Sequence, residues 1–118
     1  MPTSRHSRPI DSSQSSTDFN GAPLTPQRAA SNALVDNGNQ ALDQGQHDRA
    51  IDLFQEAVSV DPTNGAGYYY LALVKSRTGE YGGAWGYLEK AQSLLLGQAA
   101  WAPKLEELRK ELSQTRLD

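Results

Sequence analysis

Two histidines and a pair of aspartates one helical turn apart are the side chains best suited to chemistry in this sequence. His6 and His47 are its only imidazoles, the groups that exchange a proton most readily near neutral pH. Nothing places a nucleophile or a second ligand beside either, so neither assembles into a general-base or nucleophilic site. Asp48 and Asp52, four residues apart, could hold a hard cation, but solvated charges on a helix surface have the same spacing. Cysteine is absent, which removes thiolate chemistry, disulfides and thiolate metal sites and leaves the compartment open. Gly82-Gly83 lacks the preceding strand and following lysine of a phosphate-cradling loop. No catalytic residue, metal or cofactor is therefore expected.

Charge and composition divide the chain. Residues 1–28 form a Ser/Thr/Pro-rich segment whose few sizeable apolar residues cannot offset the entropy of ordering its backbone, so a disordered tail is expected there. Residues 1–30 carry a net +1 and residues 31–118 a net −4. The latter part has no basic stripe, which argues against a nucleic-acid partner. No run of about 18 apolar residues exists, so no transmembrane segment is expected. Arg5 and Arg8 are not followed by an apolar stretch, so the start does not read as a signal peptide.

From residue 29 the pattern is helical throughout. Helix 1 is expected to begin between Pro26 and Ser31, capped by Thr25 or Ser31, with Ala30, Leu34, Gly38 and Ala41 facing inward. Gly45 closes it. A second helix presents Ala50, Phe54, Ala57 and Val58 on one face and ends at Asp61-Pro62, because proline disfavours helical geometry before it. A third helix over about 66–78 holds Tyr68, Tyr69 and Tyr70, and a fourth over about 82–95 holds Ala84, Trp85, Leu88 and Ala91. The glycines 82, 83 and 86 each cost the fourth helix about 1 kcal/mol against alanine, so packing must hold it together.

A shift of 34 residues superimposes the second pair of helices on the first. Gly45 falls on Gly79, His47 on Tyr81, Ala50 on Ala84, Phe54 on Leu88, Ala57 on Ala91 and Gly38 on Ala72. This period and pattern resemble the tetratricopeptide repeat, a 34-residue helix-turn-helix unit. The resemblance implies an all-α short solenoid occupying residues 29–118: repeat 31–64, repeat 65–98 and a capping helix 99–117. Trp101, Leu105, Leu108 and Leu112 give that last helix its single apolar face.

In the tetratricopeptide family the first helix of each repeat lines a concave groove. Matching those positions implies a peptide-binding groove of Asn32, Val35, Asn39, Leu42 and Asp43, with Ala66, Tyr69, Leu73, Ser76 and Arg77 from the second repeat. Tyr68, by contrast, matches a position facing the repeat interior. Val35 stands where the family's chaperone-tail groove has a lysine, so capture of that C-terminal carboxylate is disfavoured. The function implied is a non-enzymatic adaptor for a protein or peptide partner. The alternative is a structural or assembly protein that self-associates, as a homodimer, through its exposed repeat face, or in which Tyr69 and Leu73 pack on the cap.

Overall fold

Thr25 opens the first helix by accepting the Arg28 amide at 3.0 Å on its hydroxyl oxygen, and Pro26 occupies the first turn, where a missing amide hydrogen costs nothing. The structure, a computed structural model, describes residues 24–117. Five helices follow in chain order: α1 (Pro26–Asp43), α2 (His47–Val60), α3 (Gly65–Arg77), α4 (Tyr81–Leu94) and α5 (Ala102–Leu117). Among the described residues there is no strand. None of these helices is long and apolar enough to cross a membrane. The tail expected over 1–28 lies outside the described residues up to 23. Its last three residues belong instead to α1, because Arg28 is drawn into the fold by partners on the far side of the first repeat.

Those partners form a buried polar cluster. Arg28, 3% exposed, pairs its Nε with Asp61 Oδ2 at 2.6 Å and donates from Nη2 to the Thr63 hydroxyl at 2.8 Å. Ser31 donates to the Ala57 carbonyl at 2.7 Å. Asn64 caps α3 by accepting the Ala66 amide and donates to Ser31 and Asn32 at 2.8 and 3.0 Å. One cluster thus ties the start of α1, the end of α2 and the start of α3 together, with its buried donors satisfied. It also sets the rotation of α1. Ser31, Val35, Gly38 and Ala41 are buried, whereas Ala30, expected inside, is exposed.

The Asp61 carboxyl gives this cluster a pH signature. Desolvation alone would raise its pKa, but hydrogen bonds from Arg28 and Thr63 outweigh that and hold it below the ordinary carboxylate value. A depressed folded-state pKa contributes stability above the unfolded value, lost as pH falls through the folded one. Asp61→Asn should therefore lower the urea midpoint at neutral pH, and the gap to the native sequence should close as pH falls below about 4. A gap that persists at acid pH would mean that Asp61 acts through shape rather than charge.

The 34-residue period extends to single hydrogen bonds. Gly45 and Gly79 both take positive φ, 76° and 86°, where glycine avoids the strain of a side chain. The amides that follow them bond back five residues, Gln46 to Ala41 at 2.9 Å and Glu80 to Lys75 at 2.8 Å. The same shift carries the Asn64–Gly67 turn onto Gln98–Trp101, whose amides bond at 3.1 and 3.0 Å. The expected cap over 99–117 consequently begins later, at Ala102, after a turn, with Pro103 tolerated in its first turn. In register, α5 stands where the first helix of a third repeat would stand.

Packing inside the two repeats is size-compensated. A Cβ added to Gly38 would lie 2.4 Å from Phe54 Cε1, so the phenyl ring occupies the space that glycine leaves. One period later the pair becomes Ala72 and Leu88, both fully buried: the added methyl faces a shorter side chain. Ala84, Leu88 and Ala91 are fully buried along α4, and this packing carries the helix despite its glycines. Gly82 and Gly86 have open space where a side chain would stand.

Candidate functional site

Three helices equivalent in the repeat register, α1, α3 and α5, bound a cavity of about 330 Å³ lined by Val35, Asp36 and Asn39 from α1, Tyr70 from α3, and Ala100, Trp101 and Lys104 at the head of α5. Each side chain is delivered by helical spacing. Val35, Asp36 and Asn39 are one turn of α1, with Val35 turned fully into the core as a floor and Asp36 exposed at the edge. Tyr70 stacks on Phe54, ring centroids 5.5 Å apart, so the residue that organises the first repeat also braces the cavity wall. Trp101 closes the opposite side, edge-on to Tyr70 at 6.0 Å and to Tyr69 at 5.3 Å. Lys104 places its ammonium 4.9 Å from the Trp101 ring centre, a cation–π contact that holds it at the rim.

The electrostatics follow from burial. Desolvation raises the Tyr70 hydroxyl, a hydrogen bond from Asn39 partly counters it, and the Asp36 charge adds to the rise. Burial, with Tyr70 beside it, pushes Tyr69 up to about 12. Both phenols therefore stay neutral at physiological pH, as hydrogen-bonding rather than charged groups. The rim carries one anion, Asp36, and one cation, Lys104, above a floor of Val35 and aromatic rings.

The ten groove positions named from the sequence do not form one surface. Val35 and Asn39 line this cavity. Tyr69, Leu73 and Arg77 border a separate shallow hollow of about 120 Å³ with Glu107, Leu108 and Glu111 of α5. Ala66 is fully buried and Tyr69 is 8% exposed, while Tyr68 is half-buried beside Tyr87 at 6.3 Å. Asn32 accepts from Asn64 within the polar cluster, Leu42 packs against the first-repeat core, Ser76 is half-buried, and Asp43 is exposed at the end of α1. Asp36, Tyr70, Trp101 and Lys104 line the cavity without standing at any groove position of the sequence pattern. Tyr70 was legible as part of the tyrosine run, and Lys104 lies one residue past Pro103 at the head of the cap.

The residues first weighed for chemistry stay apart. His6 lies outside the described residues. His47 is half-buried at the start of α2, and Asp48 and Asp52 are exposed on that helix. Among the described residues no three His, Asp or Glu side chains gather where they could hold a metal ion.

A family model for the TPR repeat matches residues 38–79, from the small Gly38 that admits Phe54 to the turn glycine that closes the second first-position helix. The match thus covers the last part of α1, all of α2 and all of α3. No curated protein matches the chain. Residues 38–79 are therefore similar to the TPR repeat, and this likeness supports a role in protein–protein interaction in general; TPR repeats are typically non-enzymatic.

Proposed function

We propose that this chain is a non-enzymatic adaptor that binds a peptide segment on the concave face shared by α1, α3 and α5. The observation that carries the reading is the cavity of about 330 Å³ bounded by Val35, Asn39, Tyr70 and Trp101, with Asp36 and Lys104 at its edge. Its walls are apolar and aromatic with a few polar groups at the mouth, the composition of sites that bury one or two anchor side chains while fixing their direction. Asn39 positions the Tyr70 hydroxyl and offers its amide to a peptide backbone. Asp36 and Lys104, of opposite sign across the opening, orient an extended segment by its own charges. Of the remaining groove positions, Tyr69 supports the site from beneath by holding Trp101, whereas Arg77 and Asp43 are exposed outside it.

Selection from a random peptide library displayed on phage tests this. The native chain should enrich peptides sharing an apolar anchor next to a charged residue. Asp36→Ala combined with Lys104→Ala should weaken binding of a selected peptide by about tenfold or more and leave the urea midpoint close to native, since both side chains are exposed. A selected peptide that binds the double variant as tightly as the native chain would place the interaction elsewhere.

A further inference from the structure

The turn between α4 and α5 is built unlike its counterpart one period earlier. In the first repeat, Asp61-Pro62-Thr63-Asn64 is polar and tied to Arg28 through an ion pair and hydrogen bonds. The shift of 34 residues replaces it with Leu95-Leu96-Gly97-Gln98. Leu95 is buried, but Leu96 is 84% exposed, by a wide margin the most exposed large apolar side chain among the described residues. It forms one wall of a hollow of about 550 Å³ that is also lined by Leu95, Ala99, Ala102 and Leu105, with the turn residues Gly97 and Gln98 and with Gln92 and Glu106. A terminal element of a repeat array ordinarily turns a polar face to water. Here a protruding leucine and an apolar recess of more than sufficient size sit side by side on one patch.

Charge decides what fits that patch. Residues 91–103 contain no Asp, Glu, Lys or Arg, in a chain whose charged fraction is 21%. Across a two-fold axis every residue near the axis faces its own twin, so any charge there meets a like charge. An uncharged patch escapes that repulsion, and a knob beside its own hole is self-complementary. Glu106, the one charged residue at the margin, is paired with Arg109 at 3.1 Å. A partner recognised through charge would find nothing to pair with in this stretch.

We propose that two copies of this chain associate about a two-fold axis at the α4–α5 turn, each inserting Leu96 into the other's hollow between Ala99, Ala102 and Leu105. This surface is separate from the concave cavity, which is bounded by Trp101 and Lys104 on another side of the α5 start. Both could therefore be used together, giving an adaptor with two peptide sites.

Analytical ultracentrifugation of the full chain between about 10 μM and about 1 mM should show monomer converting to dimer, a range fitting a small, mainly apolar interface. Leu96→Glu and, separately, Ala102→Arg should each weaken association at least about tenfold, with helical content and urea midpoint unchanged because both positions are exposed. Mixed together, the two variants should recover dimer as a heterodimer. The introduced carboxylate of one chain then faces the introduced guanidinium of the other, while the remaining Leu96 meets a hollow that keeps its Ala99, Ala102 and Leu105. A native chain that stays monomeric over the whole range overturns the proposal, as does a dimer that Leu96→Glu leaves intact. Failure of the mixture to recover overturns reciprocal insertion. A monomer that instead takes up a fatty acid or an added apolar peptide in this hollow overturns it too, and assigns the hollow to that occupant.

Discussion

Phe54→Ala is expected to lower the stability of the chain by about 3–5 kcal/mol, the range for emptying a fully buried phenylalanine site. Phe54 has no exposed surface, its ring fills the space left by Gly38, and its outer face stacks on Tyr70. Truncation leaves a void bordered by three helices that the polar cluster around Arg28 and Asn64 holds at fixed separation, so collapse into the gap is limited. A domain of this size has about 5–10 kcal/mol in total, so a large part of the population should be unfolded in mild denaturant. The size argument predicts a second result. Gly38→Ala should damage the native chain, yet be better tolerated beside Phe54→Leu, because that combination reproduces the Ala72 and Leu88 pair of the second repeat. Urea denaturation of the native chain, Gly38→Ala, Phe54→Leu and the double variant measures the coupling as a double-mutant cycle. A near-native midpoint for Phe54→Ala, or additive losses in the cycle, would show that the two repeats are not built on one size-compensated interior.

The part of the fold legible in the sequence is the part that repeats. Gly38, Gly45, Ala50, Phe54 and Ala57 recur in size one period later, because each helix pair must solve the same packing problem. That recurrence overrode the poor local propensity of Gly82, Gly83 and Gly86 and placed α4 correctly. Contacts made once leave no such trace. Arg28 meets Asp61 across 33 residues, and nothing in the local pattern of a polar segment marks that arginine as buried; α1 starts at Pro26, the early edge of the window expected for it, so residues 26–28 belong to the helix and not to the tail. The concave site has the same difficulty. Trp101 corresponds in register to Gly67, a change from the smallest side chain to the largest, so matching by size could not connect it to the groove. The reading of Tyr68 and Tyr69 illustrates the consequence. Their directions follow from the helix period, with Tyr68 half-buried beside Tyr87 of α4 and Tyr69 on the other side, but the burial of Tyr69 depends on a tryptophan that belongs to neither repeat. Asp36 occupies no groove position in the matched pattern, although it is adjacent to Val35 and one turn from Asn39.

Trp101→Ala should then separate the contribution of the cap from that of the repeats. Trp101 is 4% exposed and touches Tyr69 and Tyr70 edge-on, while Leu105, Leu108 and Leu112 continue the same buried cluster down α5. Loss of the indole should cost about 3–5 kcal/mol if the site cannot refill, and the damage should centre on the head of α5, where no other aromatic replaces it. Tyr69 reports this directly. Its burial pushes its pKa up to about 12, so in the native chain a phenol should ionise well above the ordinary tyrosine value when followed by ultraviolet absorbance. Without Trp101 that phenol gains solvent, and its titration should move down towards the ordinary value of about 10. The sign for stability follows. A raised folded-state pKa on an acid protects the fold below the unfolded value, and that contribution is lost as pH rises towards the folded one. The native chain should therefore lose stability between about pH 10 and 12, and Trp101→Ala should lose less over that interval because it has less to lose. Trp101→Phe, keeping an aromatic edge against Tyr69, should restore much of the stability and most of the Tyr69 shift. If Trp101→Ala keeps the native urea midpoint and the high Tyr69 titration, α5 is anchored by its leucines alone and the concave cavity has no fixed wall on that side. A peptide selected by the native chain provides the functional readout: Trp101→Ala should weaken it while the first repeat, whose interior is Phe54 and Gly38, remains folded.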